Sequence, residues 1–325
     1  MKRIYLLASA LTLVFASCQK SSEETIDETL VAEQETLAIA ADQCGTMGVL
    51  EEKMAENPEL AQKMAAVEKH TEEAIERGLT KRLAADGKIE IPVVFHVIYR
   101  RDNENISAQQ IQSQIDALNE DFNLDNPGRN SIPSKFSSVE GNIGIRFVLE
   151  DVIRVQNRKK RSWRPDDSMK FSSNGGSDVV NPQEFLNIWV VNNMPYQGGN
   201  ILGYAQFPGG SWATDGVVMD YRFTGDTQYS TGRTATHEVG HWLNLRHIWG
   251  DGGCGATDYV ADTPDSDAPS RGCPSYPTVN CGTTDMTMNF MDYSDDPCLN
   301  MFTEGQKSRM LSVFANGGFR ATMAD

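Results

Sequence analysis

The feature that most constrains the fold is the string from His237 to His247, which reads HEVGHWLNLRH. On a helix, His237 and His241 lie four residues apart, so both imidazoles project from one face and could share a metal ion. For His247 to join them, the helix must end and the chain must turn back sharply. Asn244 stands where that turn is needed, and Asn is the best residue after Gly for a left-handed conformation. The string therefore predicts a helix over about 232–245, followed by a turn that returns a third histidine to the metal.

Three imidazoles leave a tetrahedral zinc ion one open position, which is typical of catalytic rather than structural sites. Three of the five histidines of the chain fall within this string. Glu238 directly follows the first histidine, where its carboxylate could reach a metal-bound water without being a ligand. Zinc lowers the pKa of such a water from about 15.7 towards 7, and we expect Glu238 to act as general base. Peptide-bond hydrolysis is the expected reaction, with protein or peptide substrates.

The charge of the chain argues against a nucleic-acid partner. The 325 residues include 29 basic and 45 acidic side chains, which gives a formal net charge of -16. This charge repels nucleic-acid phosphates. The length allows one catalytic domain of about 200 residues or more together with an extension.

The first residues indicate export. A basic start, an apolar run and the small residues Ala16 and Ser17 are typical of a signal peptide, which we place at 1–17. The small pair before Cys18 also resembles a bacterial lipobox, in which the cysteine carries a lipid anchor, although Phe15 departs from the usual Leu. The alternative is a plain secretory signal in which Cys18 has no role. Both interpretations predict a secreted protein or an outer-surface lipoprotein of a bacterium.

The amino-acid composition of the chain changes near Lys88. Residues 18–87 are rich in Glu, Ala, Lys and Met with helical spacing, and we interpret them as an extension. Residues 88–325 form the predicted domain, of the α+β class. Its predicted strands are 89–99, 145–155, 186–192, 201–207 and 216–221. A helix capped by Ser107 and a final helix with a capping box at Thr303 complete the predicted elements.

The irregular stretch from Gly250 to Met301 contains four of the six cysteines, namely Cys254, Cys273, Cys281 and Cys298. An even, clustered set of cysteines in an exported protein indicates disulfides. Four cysteines allow three pairings, and their spacing alone does not choose among them.

The chain resembles the pappalysin family of metzincin proteases, in particular its cytophagalysin branch. The resemblance rests on the string from His237 to Asp251, including Trp242, Trp249 and Gly250, and on the string Asn289 to Tyr293. It covers about residue 88 to the end. It implies a metzincin-like catalytic domain, with a twisted mixed sheet and two long helices above an irregular, disulfide-stapled lower subdomain.

The resemblance also implies roles for individual residues. Met291 would lie in the Met-turn beneath the zinc, and Tyr293 would stabilise the oxyanion. The edge strand containing Gly203, Tyr204 and Ala205 would bind substrate as an added strand. The implied disulfides are Cys254 with Cys281 and Cys273 with Cys298. The family binds calcium after the zinc helix, where Asp258 and Thr263 offer oxygen ligands; a solvated acidic loop is the alternative.

Latency and specificity follow from the same resemblance. Cys44 would ligate zinc in a latent precursor, until residues 18–87 are removed by cleavage between about Arg77 and Lys88. An idle thiol or a cross-link between chains is the alternative. Asp296, and after it Asp295, would line the pocket for the residue that follows the scissile bond and favour Arg, then Lys. Exposed turn residues are the alternative for both aspartates.

A second hypothesis is a non-enzymatic surface lipoprotein or adhesin that contains zinc structurally. The intact Glu238 argues against it, because a structural site does not use a carboxylate beside an open metal position.

Overall fold

A five-stranded mixed sheet forms the centre of the protein. The computed structural model describes residues 43–87 and 89–324, without the side chains of 84–86; the predicted signal peptide and Cys18 lie outside these residues. The strands of the sheet are β1 (Ile89–Tyr99), β2 (Ile145–Gln156), β3 (Leu186–Val191), β6 (Gly203–Ala205) and β7 (Val217–Asp220). Their order is β2-β1-β3-β7-β6, and only β6 runs antiparallel to its neighbour. The mixed sheet and the α+β class agree with the prediction.

The buried strand β1 begins and ends where its sequence predicted. Its β-branched and aromatic residues are covered on both faces, as expected for a strand between two parallel neighbours. The edge strand β6 is shorter than the predicted 201–207. The amide of Ile201 donates to Met194 O, and that of Leu202 donates to Gln43 O. The carbonyl of Leu202 still bonds to β7, by accepting from the amide of Asp220 at 2.8 Å.

Two helices pack on the sheet and against each other: α4 (Ala108–Phe122) and α5 (Arg233–Trp242). Ser107 caps α4 by accepting a hydrogen bond from the amide of Gln110. Helix α5, which carries the first two histidines of the string, ends at Trp242, three residues before the predicted Leu245. The chain leaves the helix early because Asn244 adopts the left-handed conformation, with φ 75°.

The residues before the sheet form three helices that dock on the domain. They are α1 (Thr46–Glu56), α2 (Pro58–Glu76) and α3 (Leu79–Asp86). Helix α1 packs on β6, while α2 and α3 pack on the last helix, α6 (Glu304–Ser312). Glu68 of α2 accepts two hydrogen bonds, of 2.7 and 2.9 Å, from the guanidinium of Arg309 on α6. Within the part of the chain that the structure describes, no helix is long and apolar enough to cross a membrane.

The lower half, residues 250–301, has little regular structure. It contains one short antiparallel pair of strands, β8 (Val279–Asn280) with β9 (Thr283–Thr284). The remaining strands of the described residues form a second short pair earlier in the chain, β4 (Pro195–Tyr196) with β5 (Gly199–Asn200). Disulfides join Cys254 to Cys281 and Cys273 to Cys298, which are the pairs that the family resemblance implied. Closing loops of this length contributes roughly 3 kcal/mol each to stability.

Candidate metal centre

The three histidines of the string converge on one point. Their Nε2 atoms lie 3.1 Å (His237 to His241), 3.1 Å (His241 to His247) and 3.2 Å (His237 to His247) apart. Cys44 belongs to the same cluster, and all four ligand atoms lie within 4.8 Å of one another in a buried site. Nitrogens bound to a tetrahedral zinc at about 2.0–2.1 Å are about 3.3 Å apart. The donor set and its spacing therefore fit zinc.

A hydrogen bond at Nδ1 orients each imidazole. His237 Nδ1 contacts Phe290 O at 2.7 Å, and His241 Nδ1 contacts Leu245 O at 2.8 Å. His247 Nδ1 contacts Asp251 Oδ1 at 2.5 Å. Such contacts place the proton on Nδ1 and leave Nε2 free for a metal. Asp251 had no predicted role, although its spacing of four residues from His247 could have indicated this contact.

Burial keeps the imidazoles of His237 and His241 neutral. It lowers the pKa of His237 to about 3, with a further contribution from the nearby His247. Burial and the other two histidines also lower the pKa of His241 well below its usual value. Neutral imidazole is the form that binds a metal, so the site has ligands ready without losing protons.

The turn after α5 is held from two sides. Arg309 donates from Nε and Nη2 to the carbonyl of Asn244, at 3.3 and 3.1 Å. The side-chain amide of Asn244 donates to Thr71 Oγ1 on α2, at 3.0 Å. These contacts fix the left-handed residue that returns His247 to the site. Neither partner was predicted, because both are distant in sequence.

The chain from Asn289 to Tyr293 passes directly beneath α5. Met291 is fully buried, and a Cβ added to Gly240 would lie 2.5 Å from Met291 Sδ. Glycine at this position of the string therefore permits the close approach of the two segments. The ring of Tyr293 lies 5.0 Å from that of His247 and 5.6 Å from that of His237.

Glu238 is buried beside the histidines. Its Oε2 accepts hydrogen bonds from Thr46 Oγ1 at 2.8 Å and from Cys44 Sγ at 3.4 Å, whereas Oε1 is buried without a partner among the described residues. Burial raises the pKa of Glu238 to about 7, although the bonds from Thr46 and Cys44 oppose this shift. A carboxylate of this kind could accept a proton near neutral pH. Thr46 had no sequence signal that pointed to the site.

The segment around Cys44 fills the cleft above the histidines. Cys44 pairs in parallel with Gly203 of β6, and the amide of Gly45 donates to Gly203 O at 2.9 Å. On the other side, the hydroxyl of Tyr293 donates to Cys44 O at 3.4 Å. Burial and the charge of Glu238 raise the pKa of the Cys44 thiol well above its usual value. The extension therefore covers the candidate metal site.

A cavity of about 370 Å³ opens beside His237 and Glu238, and both predicted aspartates line it. Asp295 is exposed, and Asp296 is half-buried. Asp296 accepts hydrogen bonds at Oδ2 from Ser230 Oγ (2.7 Å) and from the amides of Thr231 (2.7 Å) and Arg233 (3.2 Å). The side chain thus caps the start of α5 as well as facing the cavity.

The loop after the histidines holds the residues predicted for calcium. Asp258 is buried and accepts a hydrogen bond from Thr263 Oγ1 at 2.7 Å, and burial raises its pKa to about 6. Within residues 43–87 and 89–324, the Cys44 and histidine cluster is the group of His, Cys, Asp or Glu side chains that could hold a metal. The aspartates of this loop do not form a second such group.

Three converging imidazoles, a glutamate next to the first of them and a methionine turn beneath define a site of the metzincin metalloprotease class. Comparison with known proteins gives the family. The peptidase family described as Pregnancy-associated plasma protein-A, the pappalysins, matches residues 172–315. Extracellular metalloprotease 1 of Coccidioides posadasii is 33% identical over 276 residues, 81% of this chain and 86% of the relative. The chain belongs to the pappalysin family, and it is a metalloendopeptidase.

Two solved structures are also similar. Mature mirolysin of Tannerella forsythia, in complex with a cleaved peptide, is 43% identical with a TM-score of 0.69, over 73% of this chain and 96% of that chain. A mutant of Tannerella forsythia promirolysin is 40% identical with a TM-score of 0.77, over 87% of this chain and 97% of that chain. The longer match to the precursor form includes part of the helical extension. The predicted family, fold and enzyme class are therefore confirmed.

Proposed function

We propose that this chain is an exported zinc endopeptidase made as a latent precursor. In this proposal residues 1–17 are the signal peptide, 18–87 the pro-segment and 88–325 the catalytic domain. The observation that carries it is the buried Oε1 of Glu238, which has no hydrogen-bond partner among the described residues and lies beside three imidazoles under the extension. Casein hydrolysis by the processed enzyme, with and without a zinc chelator, tests it. Hydrolysis that the chelator leaves unchanged would contradict it.

His237, His241 and His247 would hold the zinc, which when bound supplies a Lewis acid that acidifies water and polarises a carbonyl. Glu238 would accept the proton of the attacking water and pass it to the leaving amine. The hydroxyl of Tyr293, which now donates to Cys44 O, would donate to the oxyanion of the peptide. Met291 would support the histidines from below.

The edge strand would bind the substrate backbone. The contacts of the extension support this role, because Leu202 donates to Gln43 O and Gly203 O accepts from Gly45, at 2.8 and 2.9 Å. Leu202 and Gly203 thus already pair with the backbone of the extension, and the amide of Ala205 donates to Thr46 Oγ1 at 2.8 Å. A substrate strand along Gly203, Tyr204 and Ala205 would replace these contacts.

Latency would come from Cys44. Zinc deprotonates a coordinating thiol, so Cys44 would occupy the fourth position of the metal as thiolate. Thr46, two residues later, would at the same time hold the carboxylate of Glu238. Cleavage beside Lys81 and Arg82, which are exposed on α3, would open the route to removal.

The names of the relatives support export, since they are extracellular metalloproteases. We propose in addition that Cys18 carries a lipid and anchors the protein to the outer surface. The mass of the N-terminal peptide from the native host tests this, because an unmodified peptide would leave plain secretion.

The pocket for the residue after the scissile bond would favour a basic side chain. Arg233, which also lines the cavity, directs its guanidinium to Asp121 Oδ1 at 3.1 Å and so does not neutralise Asp296. The hydrogen bonds from the start of α5 all reach Oδ2 of Asp296, which leaves Oδ1 for an incoming guanidinium. A guanidinium can pair with carboxylates through two bonds, so Arg has a stronger claim than Lys.

The processed enzyme is therefore expected to cut mainly on the N-terminal side of Arg, with Lys second. Asp296→Asn keeps an acceptor for the helix start but removes the charge, and should lower kcat/KM for Arg substrates by about tenfold or more. A peptide library measures this, and Asp116→Asn, at an exposed aspartate of α4 that does not line the cavity, is the matched control. Cleavage chiefly before Leu or Phe, unaltered in Asp296→Asn, would show that the pocket is apolar.

A calcium ion at Asp258 and Thr263 is the second proposed metal. The buried carboxylate of Asp258 has a raised pKa, which a hard cation with oxygen ligands would offset. Calcium at about 100 times its Kd should stabilise the zinc-loaded protein by about 2.7 kcal/mol. Thermal unfolding with and without calcium measures the effect, which should vanish in Asp258→Asn. It should persist in Asp267→Asn, which changes an exposed aspartate of the same loop. An unfolding temperature that calcium does not change would exclude the site.

A further inference from the structure

Arg246 carries a charge that the domain does not pair. Its guanidinium lies between two aromatic rings, 5.6 Å from the centroid of Phe207 and 5.5 Å from that of Tyr259. Among the described residues it forms no ion pair, and its hydrogen bond goes from Nη1 to Met47 Sδ, at 3.9 Å. Met47 belongs to α1 of the extension. The half-buried cation is therefore covered by a neutral residue.

A second arginine, Arg309, also lies near the ring of Tyr259. The guanidinium of Arg309 lies 5.2 Å from the Tyr259 centroid and is 2% exposed. It holds the carboxylate of Glu68 through two hydrogen bonds, and Glu68 is part of the extension. Arg309 thus binds a carboxylate in the precursor. Removal of the extension would take that carboxylate away and uncover both arginines.

Phe207 places Arg246 near the active-site cleft, because its ring contacts both Arg246 and His241. This residue comes two positions after β6, and its ring lies 5.4 Å from that of His241. The other end of the edge strand, at Leu202, borders the cavity that contains Asp296. If that cavity takes the residue after the scissile bond, the end near Phe207 faces the residues before it.

The charges around this place favour an acidic ligand. A guanidinium that has lost part of its hydration and has no counterion binds a carboxylate with charge-assisted hydrogen bonds. The nearest acidic neighbour of Tyr259 in sequence, Asp258, uses its carboxylate for Thr263 and for the amide of Val260. Arg309 also interacts electrostatically with Asp258, so after processing Arg246 is the arginine of this pair that has no carboxylate partner among the described residues.

We propose that Arg246 and Arg309, which both lie against the ring of Tyr259, form a subsite of the mature enzyme for an acidic side chain of the substrate. The acidic side chain would precede the scissile bond, with Arg246 as its nearer contact. This inference rests on the proposed function, in which the extension is removed and peptides are cleaved. Together with the pocket at Asp296, it predicts substrates with a carboxylate before the cut and a basic residue directly after it.

The test uses the zinc-loaded mature enzyme, obtained by proteolytic activation of the full-length precursor. Peptide pairs carry Arg after the scissile bond and differ by Glu or Gln at one of the three positions before it. At one position, Glu should exceed Gln in kcat/KM by roughly fivefold at low salt, and less at high salt. In Arg246→Gln this ratio should fall to about one. Arg146→Gln, an exposed arginine on β2 at the opposite edge of the sheet, is the matched control and should keep the ratio.

The possible outcomes separate the two proposals. Cleavage of both members of every pair at equal rates by the wild type would refute the subsite and leave the endopeptidase intact. A Glu preference that survives in Arg246→Gln would also refute it. No cleavage of any peptide by the zinc-loaded mature enzyme would overturn the proposed function, and the subsite with it. Arg309 is not substituted, because it also holds the carbonyl of Asn244.

Discussion

Mature enzyme with the substitution Glu238→Ala is expected to keep its zinc and lose peptide hydrolysis by about 10³-fold or more. The three histidines do not depend on Glu238 for their orientation, since their Nδ1 contacts go to Phe290, Leu245 and Asp251. Metal affinity should therefore change little. The proton of the attacking water would lose its acceptor, and general-base catalysis alone contributes about 10²- to 10⁴-fold.

Metal analysis and a peptide assay on the same preparation measure both parts of this prediction. Glu150→Ala serves as the matched control, because Glu150 is exposed on β2, at the far edge of the sheet. Full activity in Glu238→Ala would refute the assigned base. Loss of zinc together with activity would instead show that the carboxylate helps to form the metal site.

Uncleaved precursor with Cys44→Ala is expected to be at least about tenfold more active than uncleaved wild-type precursor. The loss of an outer partner of a metal ligand typically costs 10–100-fold in affinity, and loss of a direct ligand should matter no less. The backbone contacts of Gln43 and Gly45 with the edge strand would remain, so the segment would cover the cleft more loosely. Initial rates on a small peptide measure the effect, and a gel confirms that the precursor stays intact.

Thr46→Val is the control for this variant, because it removes the hydrogen bond to Glu238 and leaves the thiol in place. It should raise the activity of the precursor less than Cys44→Ala. If the Cys44→Ala precursor is no more active than the wild type, the thiol does not maintain latency.

The local part of the site could be predicted from the sequence, because helical spacing and one left-handed residue determine it. The spacing of His237 and His241 and the turn at Asn244 depend on neighbouring residues. Contacts between distant segments could not be predicted in this way. Thr46 reaches Glu238 across 192 positions, and Arg309 reaches Asn244 across 65, and no periodicity records such pairs.

The fold likewise has features that depend on neighbouring residues and features that depend on contacts between distant segments. Strand β1 and the start of helix α4, which Ser107 caps, follow from local sequence patterns, and both begin at the predicted residues. The edge strand was predicted too long because apolar residues continue beyond it in both directions. Its real length depends on partners: Ile201 bonds to Met194 and Leu202 to Gln43, and neither partner is visible in the strand itself.

The contacts of Glu68 and Thr71 on α2 with the domain lie N-terminal to the exposed residues Lys81 and Arg82 of α3, beside which cleavage is proposed. Glu68 would still hold Arg309, and Thr71 would still hold Asn244 and Ser312, after the chain had been cut near Lys81. Cutting would then turn an intramolecular cover into a separate molecule bound without any covalent link. The cleaved extension would then dissociate from the domain to an extent that depends on concentration, because a non-covalent pair dissociates more completely as it is diluted. The enzyme would thus remain inhibited at the high local concentration where it is produced and cleaved, and would become active as it is diluted.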